Sequence, residues 1–560
     1  MINNSHTGLR VCGVPCRSSG RHSTIKNKKN IRMKNKFYNI LAVVVFSALV
    51  VGATGCKKFL NVEPVYAMSG NNFWKTRSDV EQFTLSIYKN LREATCLNGY
   101  TLLGMQDLRN TAWQTNSDLT SLSYVNHLNQ NNVTAFINNG GFYSGFGASQ
   151  LTDWNALYQV VAGANTLIYN ITDGKDIAYF TEQDRKKYIA EAIFIRSMAY
   201  FLMVRHWGDV PYETDINDKS PKPRMNQIQV FKNCIADMKA HIDDLPWTYQ
   251  DRSFIGTRAM KGGALALMME MYMWMAGFDI PNEMAYYNEV NQLGQTLIDN
   301  NGGAYSLVPF ESYKELFKGG TTENLFEIGQ DYNYNETFGT YASIAALVLR
   351  TPYKQDATQS YLYYNREYMA QLYERQFNGS TDKRMDSWFE PAYLYTYESG
   401  PLANLGQFVF LKFINMYTTT SGVDLSNDNK IISRYADAYL LRAEARQKLG
   451  DFDGAIQDVN RVRQRAGAEL FTASGSGVVI TETGEALTLA DAIWWERERE
   501  LMGESRMYYD LVRTRRIMSS IYTPNTMLYD DFIRGAWTYP INNSIIEKNP
   551  LITPNSYWAN

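Results

Sequence analysis

Residues 434–467 read RYADAYLLRAEARQKLGDFDGAIQDVNRVRQRAG, and their periodicity specifies two amphipathic helices folded back on each other. The short turn Leu449-Gly450-Asp451-Phe452 separates them. Ala443 and Ala455 are small enough for antiparallel helices to approach closely, and Phe452 has the bulk to plug the gap.

Outward from this hairpin, helical signals dominate. The pair is similar to a tetratricopeptide hairpin. Earlier pairs at 154–205 and 226–276 read as degenerate versions of it, without a strict 34-residue repeat. Ser78-Asp79-x-x-Gln82 opens a stretch through Leu91, with Val80, Phe83, Ile87 and Leu91 on one stripe. A helix from Glu182 to Arg205 ends at HWGDVP, where Gly208 and Pro211 stop it. Further helices are predicted at 283–299, 431–449, 453–466 and 486–502, with strands around 325–329 and 407–414. Residues 98–150 are rich in Asn, Ser, Thr, Gly and aromatics and lack a period, which marks a loop-rich insert. The tail 521–560 reads as irregular. The expected class is mostly α, with tetratricopeptide-like helical hairpins scaffolding an irregular, loop-rich ligand face.

The N-terminal stretch 33–56, MKNKFYNILAVVVFSALVVGATGC, has the parts of an export signal. Lys34 and Lys36 precede an apolar run from Ile40 to Val51 that is too short to span a bilayer comfortably. Ala53-Thr54-Gly55-Cys56 resembles a lipobox, whose cysteine receives a diacylglyceryl group and becomes the new N-terminus; Ala53 stands where leucine is usual. The reading is residues 1–32 as a start-site artefact, 33–55 as a lipoprotein signal peptide and Cys56 as the lipidation site.

Composition narrows the class of partner. Nine of the 55 Lys and Arg lie in residues 1–55, which hold no Asp or Glu, so the remainder sets 46 basic against 57 acidic side chains. An acidic body argues against nucleic acid, whose binding depends on cations that neutralise phosphates. The 39 Tyr and 11 Trp are a large supply of flat, amphipathic rings suited to stacking on ligands.

Catalytic and metal motifs are missing from the sequence. After Cys56 the only histidines are His127, His206 and His241, none in HExxH, and neither GxSxG nor a P-loop occurs. Cys96 and Cys234 could pair or remain two buried thiols. Glu496-Arg497-Glu498-Arg499-Glu500 reads as a helical charge ladder whose i,i+3 and i,i+4 pairs each stabilise by a few tenths of a kcal/mol. No catalytic residue, cofactor or metal is expected. A hydrolase would need two opposed carboxylates, and 57 acidic side chains single out no such pair. The candidate ligand contacts are Arg109, Trp113, Asn116, Tyr124 and Tyr143 in the insert, with Tyr332 and Tyr334 beyond it. Aromatic faces suit the CH face of a pyranose, and Arg or Asn suits vicinal hydroxyls. If Trp113 stacks on a sugar, Trp113→Ala weakens binding by about 1–3 kcal/mol.

Several segments together resemble the SusD/RagB family of Bacteroidetes outer-membrane lipoproteins. They are CKKFLNVEP from Cys56; Trp154-Asn155-x-x-Tyr158 with Ala164-Asn165; Glu191-Ala192-x-x-x-Arg196 with Gly208-Asp209-Val210-Pro211; and Asp382-Lys383-Arg384. Arg434-Tyr435-Ala436-Asp437 follows, then Glu496-Arg497, Glu500-Leu501, Glu504-x-Arg506, Asp510-Leu511 and Arg513. Tyr539-Pro540-Ile541-Asn542 and Asn549-Pro550 close the set, with Asn542 where proline is usual. The ordered set covers essentially all of 56–560 and divides it into an N-terminal SusD-like region, 56–225, and a C-terminal SusD/RagB region, 226–560. The resemblance implies four tetratricopeptide-like hairpins and a SusC-like TonB-dependent barrel as partner, over which the lipoprotein sits as a lid. It implies a lipid-anchored place on the outer membrane, at the cell surface, and glycan as cargo. Oligopeptide, as in RagB-like members, is the alternative, and a hydrolase a third class.

Overall fold

Helix α1 (Arg77–Cys96) packs on α2 (Asn155–Thr172), α2 on α3 (Glu182–Trp207), α3 on α4 (Gln227–His241), and α4 on α5 (Lys261–Phe278). The stack continues through α6 (Glu283–Gly294) to α7 (Tyr435–Leu449), which packs on both α8 (Phe452–Ala466) and α9 (Leu489–Leu501). This computed structural model describes residues 73–96, 105–109, 111–115, 123–138, 151–172, 176–334, 344–364, 366–373, 381–390, 409–472, 477–480 and 486–559. Cys56, the export signal and residues 1–32 lie outside them. Among the described residues no helix is long and apolar enough to cross a membrane.

The order of burial follows the sequence. Helix α3 is buried without a break from Ala190 to Trp207, and α5 from Gly262 to Gly277, so both run through the centre with neighbours on every side. Thr181 and Asp184 form a capping box at the start of α3, and Gly208 at φ 77° ends it. The hairpin 434–467 forms as its small residues predict. Ala443 and Ala455 are fully buried in one apolar cluster, with Phe452 packed against it. Gly450, at φ 86°, closes α7 by donating to the Arg446 and Gln447 carbonyls.

Four expectations are corrected. Residues 430–434 are strand β6, not helix; the run Ile431-Ile432 is β-branched and pairs antiparallel with β2 (Asn324–Ile328). The strand predicted at 407–414 is only an isolated bridge of Phe410 with Phe389, and the hairpin in this region is instead β4 (Met416–Thr418) with β5 (Asp424–Ser426). The described parts of the 98–150 insert hold short helices at Ser123–Asn129 and Val133–Asn138, and strand β1 (Trp113–Thr115) paired with β3 (Leu362–Tyr364). The tail carries two short helices, Tyr529–Ile533 and Asn543–Lys548. Cys234 is a free, buried thiol, pushed up to about 12 by burial, so no Cys96–Cys234 disulfide forms.

The charge ladder is also not what its spacing suggests. All five residues from Glu496 to Glu500 are buried, and their partners come mostly from other elements. Arg384 binds Glu496 at 2.8 Å and Glu500 at 3.1 Å, and is itself held by Asp382 at 2.7 Å. Arg434 reaches Glu500 at 2.7 Å, Glu504 at 2.8 Å and Glu323 at 2.9 Å. Lys412 reaches Glu504 at 2.5 Å, and Arg465 also pairs with Glu500. On the other face Arg497 bridges Asp437 and Asp510, while Arg506 holds Glu270. Burial alone would raise these acids, but Arg384, Arg463 and Arg499 hold Glu496 down to about 2. Glu498 differs: burial, then the Asp510 charge, pushes it up to about 8. The segments DKR, RYAD, ERERE and ExR are thus members of one ion lattice inside the scaffold. In water, i,i+4 pairs would be weak; here breaking one pair strands a buried charge.

Candidate cleft and tyrosine platform

A cleft of about 1000 Å³ opens beside the C-terminal end of β2. One wall is α1, with Leu85, Tyr88 and Arg92; another is the loop 252–258; the floor runs from Phe326 to Asp331. The floor is made rigid by polar bonds. Glu327 accepts from Gly320 N–H and Asn429 Nδ2, both at 3.1 Å, and from Asn324 Nδ2 at 2.6 Å. Its buried carboxyl is pushed up to about 8 by burial. Gly319, at φ 87°, packs so tightly here that a Cβ would collide with the Glu327 and Asn429 side chains. Arg92 donates to the Gly329 carbonyl at 3.2 Å and Arg252 to the Gly320 carbonyl at 3.1 Å.

The floor continues to an aromatic platform. Gln330 staples the end of β2 to the end of β5 and the residues just after it, donating to the Ser426 and Asp428 carbonyls at 2.8 Å each. Tyr332 follows two residues later. Its ring stacks on Tyr417 of β4 with centroids 3.5 Å apart and planes at 24°. Both rings are partly exposed. Asp331, which lines the cleft, accepts from Asn333 N–H at 2.8 Å and sets the turn that presents Tyr332. The arrangement offers flat apolar surface beside a groove with carboxylate, amide and guanidinium groups. That combination binds polyhydroxylated or peptide-like chains.

The sequence-predicted residues separate into three groups. Tyr332 lies on the platform. Arg109 and Trp113 are in the interior, which corrects the expectation that they meet ligand. Trp113 is 1% exposed and stacks on Tyr364 of β3 at 3.8 Å, with Phe410 edge-on. Arg109 is 0% exposed; its guanidinium donates to the carbonyls of Ala536, Trp537 and Thr538 at 2.6–3.0 Å and lies between the Tyr508 and Tyr539 rings. Asn116 and Tyr143 lie outside the described residues. Tyr124 and Tyr334 fall on the short helices Ser123–Asn129 and Tyr332–Tyr334, with their side chains outside the description. Sequence reasoning missed Tyr417. The signal was present in Met416-Tyr417-Thr418, a β-rich triplet before the Ser421-Gly422 turn.

Family models match two long segments. One described as "SusD family" covers residues 299–558, and one described as "Starch-binding associating with outer membrane" covers 58–273. A solved SusD homologue from Bacteroides thetaiotaomicron is 34% identical, over 87% of this chain and 100% of that one, with a TM-score of 0.76. Surface glycan-binding protein A from the same species, solved in complex with laminarihexaose, is 18% identical over 86% of this chain and 100% of its own, with a TM-score of 0.63. A SusD-like protein of Formosa agariphila is 24% identical over 91% of this chain and 97% of its own length.

Proposed function

The chain belongs to the SusD/RagB family of outer-membrane-associated, glycan-binding proteins, and from that premise we propose that it captures an oligosaccharide on the Tyr332–Tyr417 platform and passes it to a SusC-like TonB-dependent transporter. The observation that carries this reading is the stacked, partly exposed tyrosine pair beside a rigid cleft of about 1000 Å³. Aromatic side chains left in contact with water forgo burial, and a flat ligand face recovers it. The laminarihexaose complex of a protein with this fold supports a glycan as the occupant. Acyl chains on Cys56 hold the body at the membrane, each buried CH₂ adding roughly 0.8 kcal/mol. The cell surface is its proposed side. The protein binds without turnover. Residues 56–225 form its N-terminal SusD-like region and residues 226–560 its C-terminal SusD/RagB region.

Calorimetry of the soluble 57–560 fragment against panels of oligosaccharides and oligopeptides tests the reading. Saturable glycan binding that Tyr332→Ala weakens is the expected result. Binding confined to peptides, or loss of glycan on incubation through hydrolysis, would replace it with the peptide or hydrolase class. Mass spectrometry of the native protein tests the anchor: an unmodified Cys56 thiol removes it.

A further inference from the structure

A second pocket, of about 370 Å³, shares no lining residue with the cleft. That size suits one sugar ring. The apolar lining is Phe278 at the end of α5, Trp537, and Ile533, which is 59% exposed. The polar lining includes Asp209, Gln227, Arg515 and Arg534, the last of which is paired with Asp531 at 2.6 Å. Asp209 uses Oδ1 to accept from Gln227 N–H at 2.8 Å. Gln227 Oε1 accepts from Trp274 Nε1 at 2.8 Å, which fixes the amide and leaves its NH₂ as donor.

Arg515 is the informative residue. Its backbone is held at φ 61°, a conformation that costs a non-glycine residue about 1 kcal/mol or more and persists only where the surroundings impose it. Its Nε is buried without a hydrogen-bond partner, and its Nη2 makes only a long contact, 3.4 Å, with the Gly277 carbonyl. Among the described residues no carboxylate lies within 4.0 Å of it. Arg384, Arg434, Arg497, Arg506 and Arg513 each hold at least one such partner. A guanidinium without a counter-ion beside an apolar wall is half of a recognition site for a carboxylate.

We propose that this pocket binds a carboxylate-bearing sugar unit, a hexuronate: Arg515 takes the carboxylate, Asp209 and Gln227 take hydroxyls, and the apolar wall covers the CH face. A neutral hexose would leave the guanidinium without its anion. A bare carboxylate would leave the wall uncovered.

Titration calorimetry of the full-length protein with D-glucuronate, D-galacturonate, D-glucose and acetate tests this. At least one uronate is expected to bind about tenfold tighter than both glucose and acetate, a difference of about 1.4 kcal/mol. Two variants are expected to lose about tenfold of that affinity with thermal stability unchanged. Arg515→Asn tolerates the left-handed backbone, and Gln227→Glu keeps the acceptor for Trp274 while adding negative charge. Uronate binding that Tyr332→Ala removes and both pocket variants leave in place would assign it to the platform and overturn the proposal. Equal binding of glucose or acetate, uronate affinity unmoved by both variants, or no uronate binding at all would overturn the proposal.

Discussion

The two-stranded ladder of β2 and β6 has a different environment at each end. At one end Asn324 faces Arg434, and beyond them lies the ion lattice, in which carboxylates and guanidiniums are matched and sealed from water. At the other end Ile328 faces Lys430, and the chain runs on to Gln330, Asp331 and the partly exposed Tyr332. One sheet thus joins a closed polar core to an open aromatic rim. Scaffold and site can be told apart by whether a side chain's partners come from the protein or are left to be supplied. The same test separates Arg434 from Arg515.

The largest effect that would break this contrast is at the closed end. Arg434→Met leaves Glu323, Glu500 and Glu504 short of a partner in the interior. It is expected to cost about 3–5 kcal/mol in urea unfolding, with failure to fold as the limiting case. A loss under 1 kcal/mol would mean that the lattice is solvated and worth little. Next is Trp113→Ala. Because the ring is packed on Tyr364 and Phe410, the expected result is about 3–5 kcal/mol of lost stability. Weaker glycan binding with unchanged stability would return Trp113 to the ligand face.

A smaller effect sharpens the closed end by pH. Glu498 has an ordinary value of 4.5 and about 8 in the folded chain. Between those values the folded form keeps a proton that the unfolded form has released. Stability attributable to this group is therefore full below pH 4.5 and falls as pH rises through about 8, by at most about 1.4 kcal/mol per pH unit. Glu498→Gln is expected to flatten that slope in urea titrations from pH 5 to 8; an unchanged slope would remove Glu498 as its source. The smallest effect lies at the open end. Tyr332→Ala and Tyr417→Ala are each expected to weaken oligosaccharide binding by about 1–2 kcal/mol in calorimetry while shifting the unfolding midpoint little. Equal loss of stability and affinity would place the pair in the core.

Helices and their turns were legible because they are written in local code. Gly450, Gly208 and the small pair Ala443 and Ala455 are readable from spacing alone. The lattice was not, because Arg384 and Glu496 are 112 residues apart. Periodicity displays only the neighbours along one helix, so buried acids and arginines looked like a wet ladder. The site failed for the same reason. Trp113 sits in a polar-looking stretch, and what buries it is β3, some 250 residues onward. Tyr332 stands out in the sequence because an aromatic cluster follows a clear strand, whereas its stacking partner Tyr417 lies in a segment without a period.

The hold of Arg109 on the carbonyls of residues 536–538 spans 427 to 429 positions of sequence. A ribosome must therefore release almost the whole polypeptide before the early part of the molecule can finish its own interior. Maturation is postponed to the last moments of synthesis. If the proposed cell-surface placement is reached by export of an unfolded precursor, this delay acts against premature collapse.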